Sequence, residues 1–161
     1  MRTLGTGNWF ECKVSLERQV QGKDLPQKVT ETYLVDALTF SEAEARIIQE
    51  VLQYVPLGYP AEVVAVRHIR YSELFLDDVN EGDDAEFESH YYKIKAIFEN
   101  FDEKTATVKK TSIFYLVQAQ DIEAAMKRFK DGMQGTMGDY ETVAITETPI
   151  LEVFLCKETD K

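Results

Sequence analysis

The sequence predicts an α+β fold: two tandem ββαβ(β) repeats related by a pseudo-twofold axis, with antiparallel sheets and one helix packed per repeat. Three observations carry this. The stretch Leu34-Val35-Asp36-Ala37, with the helix opening Ser41-Glu42-Ala43-Glu44-Ala45, returns as Leu116-Val117-Gln118-Ala119 with Asp121-Ile122-Glu123-Ala124-Ala125. Within each copy the hydrophobic period switches from two to helical spacing and back. The last strands align without gaps, Val64-Ala65-Val66 on Val143-Ala144-Ile145, Glu73 on Glu152 and Phe75 on Phe154, and the offset drifts only from 82 through 80 to 79, so the indels fall in loops.

Taken in order, residues 1–8 read as a flexible start with Gly5 and Gly7. The first repeat spans 9–76. Residues 9–16 alternate, with Phe10, Cys12, Val14 and Leu16 on one face and Trp9, Glu11 and Lys13 on the other. A loop with Gly22, Asp24 and Pro26 leads to a second strand over 28–37. Ser41 and Glu44 have the spacing of a capping box, and Ala43, Ile47, Ile48, Val51, Leu52 and Val55 form an apolar stripe that Pro56 and Gly58 end. A third strand follows over 62–69, with Val64 and Val66 facing inward, and residues 70–76 stay extended.

The second repeat, 91–155, begins with Tyr91-Tyr92 in place of Trp9-Phe10. Strands over 92–98 and 108–118 precede a helix capped by Asp121, with Ile122, Ala125, Met126 and Phe129 on its apolar face. Gly132 suits the left-handed position after that helix, a strand follows over 140–148, and a polar tail occupies 156–161. The second strands carry apolar residues on both faces (Tyr33 and Val35 beside Leu34; Tyr115 and Val117 beside Leu116), so both faces are expected to be covered and the copies to pack together.

Composition narrows the function classes. No apolar run reaches the roughly 20 residues that span a bilayer, and residues 1–8 lack the apolar core of a signal peptide. With two cysteines, Cys12 and Cys156, in strand-like contexts, one disulfide is possible in principle, but the reading is a cytoplasmic protein with two buried thiols. The net charge of −11 is uneven. Asp77, Asp78, Glu81, Asp83, Asp84, Glu86 and Glu88 lie in segment 77–90 with no Lys or Arg, which reads as a solvated acidic linker between two nearly neutral lobes. That overall charge opposes long-range attraction to phosphate while leaving room for a local basic site.

The segments Asn8-Trp9-Phe10-Glu11-Cys12-Lys13-Val14, Lys28-Val29-Thr30-Glu31 with Tyr33-Leu34-Val35-Asp36-Ala37, Phe40-Ser41-Glu42-Ala43-Glu44-Ala45, Tyr71-Ser72-Glu73-Leu74-Phe75 and Gly135-Thr136-Met137 together resemble a family catalogued only as a domain of unknown function. The family is encountered in Bacteroidota and their phages, including crAss-like phages. The resemblance covers nearly the whole chain and implies a cytoplasmic bacterial or phage protein. It brings no activity and no functional residues.

Candidate chemistry is sparse. His68, in Arg67-His68-Ile69-Arg70, has no carboxylate or nucleophile at a spacing that would meet it on a strand, and the second copy has Glu147 in its place. His90 ends the acidic linker. Two histidines and two cysteines, widely scattered, do not make a zinc site. The glycines from Gly132 to Gly138 follow a helix rather than precede one, opposite to a phosphate loop. Trp9 and Tyr91 alternate with lysines, Lys93 and Lys95 in the second copy and with Lys109 and Lys110 on the next strand, a pattern that fits base stacking beside phosphate contacts but fits a buried interface with solvated lysines better. Glu73 and Glu152 recur at equivalent positions and read as strand-end acids.

The expectation is a non-enzymatic binding or adaptor protein that self-associates as a homodimer, with no cofactor, no metal and no membrane partner. A nucleotide-like small molecule held by Trp9, Arg67, His68, Arg70 and Tyr91 is the alternative, in a phage setting a sequestered signal of host defence. A single-stranded nucleic-acid binder using Trp9, Tyr91, Lys93 and Lys95 is the third reading and is not favoured.

Overall fold

The computed structural model describes residues 2–5, 7–77, 89–136 and 138–156 of the chain. The acidic run, most of which is 78–88, and the tail over 157–161 lie outside the described residues. Nine strands and two helices follow in order among the described residues: β1 Arg2–Gly5, β2 Trp9–Arg18, β3 Gln27–Asp36, α1 Phe40–Val51, β4 Ala61–Ile69, β5 Glu73–Leu76, β6 His90–Asp102, β7 Thr107–Ala119, α2 Ile122–Gly132, β8 Asp139–Glu147 and β9 Ile150–Phe154. A 3-10 turn, Leu52–Tyr54, extends α1. The fold is α+β, with a ββαβ arrangement in each half.

The strands form two mixed sheets, ordered β4-β2-β3-β9 and β1-β5-β7-β6-β8. Each repeat contributes a hairpin and an edge strand to its own sheet, then sends its last strand to the other. β5, from the first repeat, pairs in parallel with β7, and Glu73 lies opposite Tyr115. β9, from the second repeat, pairs in parallel with β3, and Glu152 lies opposite Tyr33. The chain accordingly divides into one compact unit of β1, β5–β8 and α2, and another of β2–β4, α1 and β9. The expectation of antiparallel pairing holds for the hairpins and for β4 and β8; the two exchanged strands are parallel.

Geometry explains the exchange. β8 ends at Glu147, opposite Tyr92, and β9 begins at Ile150, leaving a two-residue link. Three virtual bonds reach about 11 Å. A place beside β7 in its own sheet lies across three strand spacings and about three residues along, roughly 17 Å away. The link is anchored where it leaves the sheet: Thr148 donates to the Tyr91 carbonyl from both its main-chain N–H, at 2.8 Å, and its hydroxyl, also at 2.8 Å.

In the β2–β4 unit, the predicted inward face of β2 (Phe10, Cys12, Val14, Leu16) packs with Tyr33, Val35, Ala43, Ile47, Val51 and Phe154. Burial pushes the Cys12 thiol up to about 12, so it stays protonated and inert; both cysteines are free thiols, and Cys156, expected inside, is only half-buried because it lies just past the end of β9. In the other unit Phe75, Tyr92, Ile94, Ala96, Tyr115, Val117, Ala125, Phe129 and Met133 form the core. Leu34 and Leu116, on the opposite sheet faces, are fully buried as well.

Several local expectations change. Residues 2–5, read as a flexible start, form an edge strand against β5. Helix α1 begins two residues earlier than the Ser41 box implies. Thr39 is its cap, accepting from Glu42 N–H at 3.1 Å, while the Glu42 carboxylate accepts from Leu38 N–H at 3.1 Å. Thr39 now aligns with Asp121, the cap of α2 as expected, so the 82-residue offset runs through both helices. Leu52 enters the 3-10 turn and is 49% exposed, leaving the stripe of α1. Val64, expected inside, is the extra residue of a bulge opposite Lys13 and Val14; Val66 faces the core as expected, and Val63 takes the place expected for Val64. Val143 sits in the equivalent bulge of β8, opposite Lys95 and Ala96. Both bulges lie on edge strands, where they blunt pairing with other chains.

Gly132 is required for a different reason than the one expected. Its backbone is not left-handed; Gly135, three residues on, takes that role with φ 84°. A Cβ on Gly132 would lie 2.7 Å from Cε1 of the buried Phe75 ring. Phe75 is held by Tyr115 and Phe129, at ring centroid distances of 6.0 and 6.1 Å. Gly132→Ala should therefore destabilise the protein by about 1–3 kcal/mol through overpacking, despite the gain of up to about 1 kcal/mol in helix propensity. Denaturant unfolding measures this directly; unchanged stability would show that the Phe75 ring can yield.

Candidate functional site

The residues singled out from sequence fall on both units. Trp9 and Tyr91 are 2% and 6% exposed, so neither ring presents a stacking surface to solvent. Lys93 lies over the Phe114 ring, 4.5 Å from its centroid, and it and Lys95 are half-buried. In the β2–β4 unit, register places Arg67 opposite Glu11 and His68 opposite Phe10, which puts these two side chains on opposite sheet faces. Arg67 pairs with Glu11 at 3.1 Å, and Arg70, beyond the strand end, is exposed. Trp9 and Arg67 share one face; His68 lies on the face that carries α1. Glu73 and Glu152, the recurring acids, each lie beside a tyrosine of the opposite repeat.

Two groupings that pattern alone missed stand out. The first is polar. Arg18 closes the inward row of β2 and donates to both carboxylate oxygens of Glu31, at 2.8 and 2.9 Å, and to the Tyr33 hydroxyl at 3.2 Å. Its guanidinium lies 4.6 Å from the centroid of the Tyr54 ring. Tyr33 donates to Glu31, and Tyr54 donates to Glu152 on the exchanged strand at 2.5 Å. Burial first, and then the bond to Glu152, push the Tyr54 hydroxyl up to about 12. Burial and Glu31 likewise hold Tyr33 protonated far above its ordinary value. Every polar tip in this network is answered by another, so it fastens the hairpin, the 3-10 turn and β9 together. The other repeat has Asn100 and Ile113 in place of Arg18 and Glu31. That substitution was the visible signal, but the contact itself depends on hairpin register.

The second grouping is apolar. The start of α1 leaves Leu38 and Phe40 at 78% and 55% exposure. Beneath them the buried Phe10 ring meets Phe40 edge-on and His68 at a tilt, each at 5.0 Å between centroids. At the equivalent positions the other unit has Tyr92, Gln120, Ile122 and Glu147, and there Glu147 pairs with His90 Nδ1 at 2.9 Å. The surface is thus more apolar and aromatic in one repeat than in the other, where Gln120 and Glu147 replace Leu38 and His68 around the exposed Ile122.

A third feature repeats. Arg46 of α1 donates to the Asp36 carbonyl, and Arg128 of α2 donates to the Gln118 carbonyl at 2.7 Å. Both pairs stand at the 82-residue offset, which makes this a clamp of the scaffold rather than a site. Arg128 also pairs with Asp77, whose N–H donates to the Gln118 side chain at 3.0 Å.

Glu73 and Glu152 differ in what answers their carboxyl groups. Desolvation raises the Glu73 carboxyl, and among the described residues no hydrogen bond answers it. A raised carboxyl favours folding below its unfolded value and loses that contribution as pH rises through the folded one. Glu73→Gln should therefore raise Tm at pH 7, with the gain fading toward about pH 4. Glu152→Gln weakens the bond from Tyr54 and should lower Tm at pH 7. Because Tyr54 holds its proton to about 12, stability should also fall between pH 10, where unfolded tyrosine ionises, and pH 12. Thermal melts across pH test all three; a Glu73→Gln gain that persists at acid pH would contradict the linkage.

Among the described residues no helix is long and apolar enough to cross a membrane. A search of curated proteins finds no match. A family model does match, over residues 8–156, which takes in β2 through β9 and both groupings described above. The chain belongs to the domain of unknown function family DUF4494.

Proposed function

We propose that this chain is a non-enzymatic binding or adaptor protein, of bacterial or phage origin, that self-associates as a homodimer. The observation that carries this reading is the exposed patch of Leu38, Phe40 and His68 over Phe10. Contiguous apolar surface rimmed by polar residues marks interaction sites. The Thr39 cap and the Glu42 carboxylate fix the backbone on which Leu38 and Phe40 stand, so little freedom is lost when the patch is covered. The patch occurs in one repeat only, as befits a surface that has diverged from the scaffold.

A nucleotide-like small molecule is the second reading. The exposed ring of His68 and the exposed Arg70 lie toward one strand end, which pairs a stacking surface with a cation for phosphate, while Arg67 turns to the other sheet face and pairs with Glu11. Stabilisation in a thermal-shift screen of nucleotides, lost in His68→Ala and Arg70→Ala, supports it. The nucleic-acid reading draws less support, because Trp9 and Tyr91 are buried.

Phe40 is the first residue of α1, where an acidic side chain suits the helix dipole. Phe40→Glu should thus fold normally and sediment as a monomer, while Ile122→Glu, at the equivalent place, leaves the dimer intact. Light scattering or sedimentation distinguishes these. A wild-type chain that is monomeric at all concentrations would remove the self-association from the reading.

A further inference from the structure

We propose that the open edge of β7, residues 107–113, is a docking strand for an extended acidic polypeptide segment. β7 pairs with β6 along its whole length, from Thr107 opposite Asp102 to Ala119 opposite His90. On its other side β5 answers only Tyr115, Leu116 and Val117, and Ser72 N–H donates to the Phe114 carbonyl at 2.8 Å. Among the described residues no strand lies beside 107–113 on that side, and residues 107–112 are all exposed. The Ser72 bond shows which way Phe114 turns its main chain. With a period of two, Val108, Lys110 and Ser112 turn their N–H and C=O groups to the open side as well. Seven residues span about 23 Å, the length of an ordinary strand.

Four observations select the occupant. The edges at β4 and β8 carry bulges, whereas β7 runs without a register shift along β6 and remains a straight template. The open segment carries Lys109 and Lys110 and no acid. A second copy pairing antiparallel on this edge would set lysine against lysine, which is unfavourable, and an acidic strand would meet complementary charge. Both lysines are exposed and make long pairs, Lys109 to the half-buried Asp102 at 3.4 Å and Lys110 to Glu99 at 3.6 Å, which leaves their ammonium groups open to a partner's carboxylates. Beside them Val108 and its cross-strand neighbour Phe101, 56% and 65% exposed, offer an apolar contact for an alternating side chain. Main-chain donors and acceptors in alternation are matched by a polypeptide and not by a nucleic acid. This extends the binding-protein reading to a second surface and does not depend on the Phe40 patch.

The test uses the full-length protein and fluorescein-labelled peptides in anisotropy titrations. An alternating Glu/Val peptide should bind saturably. The same peptide with alternate amides N-methylated should not bind, because it cannot complete the ladder. Lys109→Glu with Lys110→Glu should weaken the acidic peptide by roughly tenfold or more and admit a Lys/Val peptide instead. Phe40→Glu should bind as the wild type does, which separates this site from self-association. The proposal is overturned if the acidic peptide does not saturate, if the N-methylated peptide binds equally, if charge reversal leaves affinity unchanged, or if an oligothymidylate competes on equal terms. The N-methylated comparison is made on the unaltered chain, so it decides the matter even if the double variant fails to fold.

Discussion

The length of two connections governs this structure. Residues 70–72 and 148–149 are too short to carry β5 and β9 back across their own sheets, so each repeat must finish its core with a strand from the other. Phe75 and Phe154, which fill the two cores, both arrive this way. Burying an aromatic side chain of this size contributes about 1.5–3 kcal/mol, a substantial share of the stability of a small unit. Neither core is complete until the whole chain, from β2 to β9, is in place.

Around that constraint the two repeats keep what builds the scaffold and vary the rest. The arginine clamp from each helix to the end of its second strand is retained, as are the paired bulges and the register of glutamate against tyrosine on each exchanged strand. What differs is chemical. One repeat converts the end of its hairpin into the closed network of Arg18, Glu31, Tyr33 and Tyr54, and places phenylalanine and histidine where the other has isoleucine and glutamate. The other repeat lengthens its hairpin, giving β6 and β7 thirteen residues each.

Much of the fold was legible because periodicity is a local signal. The alternation of Phe10, Cys12, Val14 and Leu16 identified an inward face correctly, and Asp121 announced a helix start. Ser41 misled because Ser41 and Glu44 satisfy a capping pattern as well as Thr39 and Glu42 do; the earlier start is the one in which Arg46 reaches the Asp36 carbonyl. The destination of the last strands was not visible in their pattern. Tyr33 and Tyr115 are equivalent neighbours, so Glu73-Leu74-Phe75 fits either sheet equally well, and only the length of the link decides. The burial of Trp9 and Tyr91 agrees with the favoured reading of a covered aromatic face, whereas Lys93 and Lys95, read as solvated, are half-buried. Arg18 and Glu31, thirteen residues apart, meet only through the register that the intervening loop sets.

The exchange of strands also bears on ancestry. A chain with a single ββαβ(β) repeat and the same short connection could not satisfy its own third partner strand, so its smallest folded form would be a pair of molecules trading ends. Gene duplication then turns an obligate pair into one polypeptide without altering a single contact in either core. It also removes the dependence on concentration that an intermolecular trade imposes. Once joined, the two copies inherit a mutual obligation: a change in the last strand of one is felt in the core of the other, so those strands must evolve with their hosts, while the hairpin tips and helix starts are free to diverge.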